Sequence, residues 1–250
     1  MSLRGEEYVI IHVYALCWNE EKMLPFFLKH YDNIADQYYI FDNDSTDNSI
    51  SMLKAHPKVN MNRFEIEGNS VVRSAQDLFN QCWKESRNKA DWIIICDVDE
   101  HFYHPNLRTY LQECTSKGIT LIVPNGYEMV SDFFPNSQQP LYETVRNGVR
   151  SQTYDKPQIF NPSAIQEINF SPGRHTAEPA GNVIKPSNNE VLLLHYKYLG
   201  FDYLNSRFSA LKQGLREGDT TNRWGFHYLW DEKQKMEQFK DLKNRSVRVL

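Results

Sequence analysis

Asp97, Asp99 and Glu100 stand within four positions at the close of the apolar run 92–96, in the segment DWIIICDVDEHF (91–102). Carboxylates this close repel. At about 5 Å and an effective dielectric of about 20, each pair costs about 3 kcal/mol, so something positive belongs among them. Hard carboxylate oxygens one residue apart suit Mg2+ or Mn2+, ions that keep open positions for water and for substrate phosphates. In an extended strand end Asp97 and Asp99 share one face while Val98 points to the core. A bare D-x-D tripeptide is more often a solvated turn ahead of a helix, but its place directly behind a buried strand favours the ligand reading.

The elements that must position these acids follow from periodicity. Segments 8–16, 37–43, 59–66 and 92–96 read as strands. Helical spacing covers about 21–33, with Pro25 in the first turn, a short stretch after DSTDNS capped by Ser45 or Thr46, and about 70–87. Strand and helix alternate four times, and near-continuous apolar strands in such an alternation predict a mostly parallel α/β sheet flanked by helices. Ligands bind such sheets at the carboxyl ends of the strands. The clusters CWNEE (17–21), DNDSTD (42–47) and DVDE (97–100) all fall there and should converge on one crevice. Beyond a helix at 107–114 and a strand at 120–124 the pattern loosens. Residues 125–190 read as long loops with short strands at 158–160 and 165–170, before a strand at 191–198 and helices at about 201–217 and 227–243. This predicts a single domain over 1–250 with a smaller antiparallel C-terminal part.

Composition sets outer bounds. A 40% hydrophobic content over 250 residues supports a sizeable core, and a net charge of −4 without a basic block argues against a nucleic-acid partner. Four widely spaced cysteines without a CxxC pair point to reduced thiols and a cytoplasmic protein. No apolar stretch nears the roughly 20 residues of a membrane span, and the start MSLRGEEYVI does not read as a signal peptide. Leu229, Trp230, Met236 and Phe239, set among charges, leave room for peripheral membrane contact, although core packing explains them as well.

NEEKMLPFFLKHY, FDNDSTDNS and DWIIICDVDEHF, in that order and at these distances, resemble glycosyltransferases of the GT-A (Rossmann-like) fold, in particular the family-two-like group. The resemblance covers about 8–125 well, as a nucleotide-sugar-binding half, and is looser over an acceptor-side half from about 126 to 250. It implies transfer of a sugar from a nucleotide diphosphate donor to a glycan or lipid-linked acceptor, with Mn2+ or Mg2+ as cofactor, in the making of a cell-surface glycan. It points to Ala15, Asn19, Glu20, Asp42 and Asn43 for the nucleoside, and Asn43 can accept from a uracil N3–H, which favours a UDP-sugar. Arg73 and Gln76, with Asn80 behind them at helical spacing, resemble the Arg/Asn stretch that precedes the metal strand in relatives. Asp99 is expected on the metal and Asp97 on the metal or the ribose. His195, closing the apolar run LLLHYKY, completes the metal shell, with His175 as its competitor. Arg174 and Lys156 are candidates to neutralise the departing diphosphate.

Transfer with inversion needs a carboxylate to take the acceptor proton. Glu128 and Asp132 occupy the place where family-two enzymes carry acceptor-side acids, with Glu178 a third option; retaining chemistry needs no such base. His101 and His104 lack the thiolate or histidine neighbours that a zinc site requires. One rival is a haloacid-dehalogenase-type phosphatase, whose nucleophile–acid pair D-V-D also resembles; that motif lies near the N-terminus and continues with Thr or Val, where this chain has His101. The other rival is a non-catalytic nucleotide- or carbohydrate-binding module of the same fold.

Overall fold

The computed structural model describes residues 8–136 and 138–250, so the reading of the extreme N-terminus lies outside the described residues. The strands are β1 Ile11–Cys17, β2 Gln37–Asp42, β3 Val59–Arg63, β4 Trp92–Asp97, β5 Glu100–Tyr103, β6 Leu121–Ile122, β7 Asn125–Ser131, β8 Asn147–Arg150, β9 Ile159–Phe160, β10 Ile165–Glu167, β11 Ala180–Gly181, β12 Leu192–Leu199 and β13 Val247–Arg248. The helices are α1 Leu24–Tyr31, α2 Ser49–Ala55, α3 Val71–Gln81, α4 Leu107–Ser116, α5 Leu141–Thr144, α6 Phe201–Gly214, α7 Glu217–Thr221 and α8 Glu232–Arg245.

The first sheet has the order β3-β2-β1-β4-β9-β6, and its first four strands run parallel, as the alternating pattern predicts. Period two decides its packing. Val13, Ala15 and Cys17 of β1, with Trp92, Ile94 and Cys96 of β4, face the cluster built on Phe27 of α1 and Leu111 of α4. Tyr14, Ile93 and Ile95 face Ala75 and Phe79 of α3 on the other side. Both faces are covered, which is why these strands show no polar alternation.

The second sheet, β13-β8-β7-β12-β5, is mixed: β12 pairs parallel with β7 and antiparallel with β5, while the outer pairs are antiparallel. β5 comes from the N-terminal half, so the two halves share this sheet. Tyr31 of α1 pins the junction: its hydroxyl donates to Glu100 O at 3.0 Å and accepts from Phe102 N at 2.8 Å.

Two local expectations change. Ser45 and Thr46 do not cap α2; Asp47 Oδ1 accepts from Ser49 N at 2.9 Å instead. The helix of about 70–87 is α3 followed by a tighter 3-10 turn, Cys82–Ser86.

Candidate active site

β4 ends at Asp97, residues 98–99 turn, and β5 begins at Glu100. The acidic cluster is therefore the crossover from one sheet to the other. The extended geometry expected across Asp97 and Asp99 does not occur, and the three acids diverge to three different basic partners. Arg174 donates to Asp97, Lys156 to Glu100, and His195 Nε2 lies 3.3 Å from Asp99 Oδ2. The positive charge that their crowding demands comes from the chain itself.

Each pair has a distinct setting. Lys156 and Glu100 are buried, 2% and 1% exposed, so the Lys156 ammonium is spent on Glu100 and is not placed for a diphosphate. Arg174 lies over the Phe79 ring of α3 at 4.5 Å, on the face to which β4's alternation sends Asp97. Its backbone is left-handed (φ 58°), a conformation costly for a non-glycine residue, and its buried Nε has no hydrogen-bond partner. His195 is set by register, standing opposite Glu100 of β5 and opposite Glu128 of β7. Its Nδ1–H donates to Glu128 Oε2 at 3.1 Å, and the Tyr154 ring stacks on the imidazole at 4.3 Å. Burial works against a charge on His195, but Asp99 and Glu128 outweigh it and raise its pKa to about 10. Burial likewise opposes ionisation of Asp99, yet His195, with Arg207 and Lys197 farther off, holds that carboxyl well below its ordinary range.

The ends of β1 and β2 are laced together. Asn19 Oδ1 accepts from Thr46 N at 2.7 Å, Asn19 N donates to Ser45 Oγ at 2.8 Å, and Asn43 N donates to Cys17 O at 2.9 Å. Asp42 Oδ2 accepts from Ser45 N at 2.9 Å, while its Oδ1 is buried without a partner. Ala15 is fully buried within β1. Glu20 is paired by Arg207 of α6, which also donates to Trp18 O (2.9 Å) and Asn19 O (3.2 Å) and so ties that helix across the crevice.

The remaining candidates divide. Arg73 is exposed and donates to Gln76 Oε1 at 2.8 Å. Gln76 and Asn80 hold the backbone of Phe170, at 2.6 and 2.7 Å, and so anchor the loop that carries Arg174. His175 donates Nδ1–H to Thr153 O at 3.1 Å. Asp132 is ion-paired with Lys243 at the surface, and Glu178 is exposed. Glu128 is turned toward His195.

Three contributors escaped the sequence reading. Tyr154 carries no signal in its loop. Arg207 does: it sits three residues after Leu204 on the apolar stripe of α6, an unusual place for a cation. Lys197 follows His195 by two, and the pairing of β12 with β7 shifts register between His195 and Tyr198, a bulge of the kind that re-aims side chains at functional sites. Its ammonium donates to His227 Nε2 at 3.0 Å.

Asp99 and His195 would hold a divalent ion only with the imidazole neutral, its Nε2 proton given up to solvent as the ion binds. Their facing atoms are 3.3 Å apart, near the separation of about 3 Å between adjacent ligands of a six-coordinate Mg2+ or Mn2+. The second imidazole nitrogen is held by a carboxylate, as is usual for a metal-bound histidine. Among the described residues no group of three or more His, Cys, Asp or Glu side chains is placed to hold a metal ion.

Acids gather at the carboxyl ends of a mostly parallel sheet, where a second sheet enters, the place at which open α/β folds bind their ligands. The sequence model of glycosyltransferase family 92 matches residues 8–246, and the chain belongs to that family. No curated protein matches it in sequence. Among solved structures it is similar to S. aureus TarS at 10% identity, covering 94% of this chain and 43% of that one with a TM-score of 0.48. The TarS fragment 1–349 in complex with UDP gives 10% identity, 94% and 71% coverage and the same TM-score of 0.48. Glucosyl-3-phosphoglycerate synthase from Mycobacterium tuberculosis, in complex with Mn2+, UDP and phosphoglyceric acid, gives 15% identity, 48% and 43% coverage and a TM-score of 0.34. The chain thus spans less than half the length of the longer TarS chain.

Proposed function

We propose that the protein transfers a sugar from a nucleoside diphosphate donor, a UDP-sugar in preference, to a hydroxyl of a glycan or lipid-linked acceptor, in a reaction dependent on Mn2+ or Mg2+. The observation that carries this reading is the pairing of Asp99 with His195 Nε2 at the junction of the two sheets, with Glu128 fixing the far side of the ring. Asp99 and His195 would hold the ion, whose charge would stabilise the departing diphosphate. Arg174, paired with Asp97, has a buried N–H without a partner that would donate to a phosphate oxygen. The unpartnered Asp42 Oδ1 is an acceptor suited to a uracil N3–H. For an inverting displacement the acceptor-side carboxylate would be Asp132, whose surface partner Lys243 it would give up on acceptor binding, since Glu128 is the more buried of the two and held by His195. A role on the cytoplasmic side, in building a cell-surface glycan, agrees with four free cysteines. No helix among the described residues is long and apolar enough to cross a membrane.

The test is release of UDP from a panel of UDP-sugars with and without Mn2+. Turnover of at least one donor is expected only with the metal, and Asp99→Asn should lower it about 100-fold or more. Turnover indifferent to Mn2+ and to Asp99→Asn removes the reading.

A further inference from the structure

A single 3-10 turn, Phe226–Leu229, lies between α7 and α8 and is tied to β12 through Lys197. In a 3-10 helix side chains three positions apart eclipse, so Phe226 and Leu229 stand on one side of the turn. That side is the outer one, and each is 47% exposed. The two residues between them turn inward. His227 Nε2 accepts from the Lys197 ammonium at 3.0 Å, and the Phe208 ring of α6 packs against His227 and Tyr228 with centroids 5.5 and 5.2 Å away. The turn cannot roll its apolar pair toward the core without breaking these contacts. Its entry is fixed as well: Gly225 is left-handed (φ 65°), and a Cβ there would meet the Tyr228 ring at 2.9 Å and Leu215 at 3.1 Å. Phe226 and Leu229 are therefore held in water, an orientation that the hydrophobic effect opposes.

What surrounds the pair selects the partner. Trp230 packs edge-on to Phe226 with centroids 6.0 Å apart and is half-buried, as is Trp224. The Arg223 guanidinium lies 5.8 Å from the centre of the Phe226 ring. Arg216 and Lys233 are exposed on either side along the chain, as are Glu217 and Glu232. The other acids nearby are committed: Asp219 to the start of α3, and Asp231 to Gln234 N at the start of α8. The rim is thus close to neutral, with long cationic side chains at its edge. Tryptophan rings, an inserted Phe and Leu, and cations that can snorkel are the composition of a surface seated in a bilayer interface. Area argues the same way. At about half exposure the apolar pair presents about 200 Å2, against about 800 Å2 per partner in a stable protein interface, too little to hold a second copy or a folded partner. A bilayer needs only a few inserted apolar side chains for reversible attachment. Of the four residues that the sequence left open to membrane contact, Phe239 is buried and Met236 half-buried, while Leu229 and Trp230 belong to this patch.

We propose that the turn Phe226–Leu229 docks the protein on a lipid bilayer, with Phe226 and Leu229 inserted at the acyl boundary and Trp230 and Arg223 at headgroup level. The docking does not depend on the transferase reading. One consequence does: because Lys197 ties the turn to the strand that carries His195, the crevice then opens beside the bilayer, where a lipid-linked acceptor would reach it. Flotation with vesicles of phosphatidylcholine and phosphatidylglycerol tests it, alongside UDP-sugar hydrolysis by the unmodified protein. The protein should float with the vesicles. Its partitioning should fall about tenfold or more when Phe226→Ser and Leu229→Ser are combined, and should stay in the swapped pair Phe226→Leu with Leu229→Phe, which keeps the apolar face. Ile184→Ser, an exposed apolar control outside the patch, should leave it unchanged. Urea midpoints equal to that of the unmodified protein identify the variants that are folded, and the swapped pair keeps the test decisive if the double serine variant is not. No flotation, equal flotation of the folded double serine variant, or loss of flotation in the folded swapped pair overturns the proposal. So does a dimer in solution that the double serine variant dissociates, which assigns the patch to a second copy. If the protein floats through Phe226 and Leu229 but hydrolyses no donor, the docking stands and its consequence for the acceptor falls with the transferase reading. If donors are hydrolysed and nothing floats, the docking alone falls.

Discussion

Glu128 separates two roles that one carboxylate cannot hold at once. A general base must reach the acceptor hydroxyl, whereas this side chain is 15% exposed and bonded to His195 Nδ1 at 3.1 Å. Orienting the imidazole is the role that the geometry supports. Glu128→Gln keeps an acceptor for Nδ1–H but removes the charge, and loss of such an outer partner typically weakens metal binding about 10–100-fold. Donor hydrolysis titrated with Mn2+ should therefore shift to higher metal concentration by that factor, with the saturated rate changed less. A lower saturated rate at unchanged metal dependence would return Glu128 to the role of base. The acids and His195 were legible in the sequence because each closes an apolar run, where a polar residue has no packing reason to be. Their partners were not. Arg174, Lys156 and Glu128 lie 77, 56 and 67 positions from the groups they bind. Only strand register and loop path bring them in, and neither is written in local periodicity.

α3 and α7 show the same limit among elements. The N-terminus of α3 is capped by its own Ser70, which accepts from Arg73 N at 3.0 Å, and also from far along the chain by Asp219. The buried Asp219 carboxylate accepts from Ser70 Oγ (2.6 Å), Val71 N and Val72 N (both 3.1 Å), and from Arg216 N in its own turn (3.0 Å). The approach is tight enough that a Cβ at Gly218 would meet Asn69 Oδ1 at 2.6 Å, so glycine is required where α7 touches the residues before α3. Asp219→Ala strands four donors at once. Combining a lost cap with unsatisfied buried groups, it should cost about 3 kcal/mol, and Asp219→Asn distinctly less, read from urea unfolding. A cost below about 1 kcal/mol would mean that water replaces the carboxylate and the latch is not structural. β1 and β4 were legible because both of their faces are buried, and α1 because of its spacing and Pro25. β5, β7 and β8 were not: they are strands of 4 to 7 residues carrying polar side chains, and only pairing with β12 or with one another makes them a sheet.

At the scale of the whole molecule, the junction between the sheets carries both the chemistry and an acid weakness. Behind the turn at residues 98–99, His30 of α1 donates Nε2–H to Phe102 O of β5 at 2.9 Å and stacks on His101 with ring centroids 4.6 Å apart. Burial holds His30 neutral and lowers its pKa to about 4, despite the favourable bond to Phe102. The unfolded chain has a histidine of pKa about 6.5, so between the two values it binds a proton that the folded protein refuses. Stability is therefore fully present above pH 6.5 and is lost as the pH falls toward 4, by about 3 kcal/mol from His30 alone. His227, held down mainly by burial with Lys197 adding to it, acts in the same direction. Urea midpoints at pH 7, 5.5 and 4.5 should fall progressively. His30→Leu should flatten part of that slope whatever its stability at neutral pH, because it removes the refused proton. The carboxylates held low by their basic partners, Asp99 among them, give way only below this window, so a loss confined to pH under 4 would assign acid sensitivity to the ion pairs and not to the histidines packed behind them.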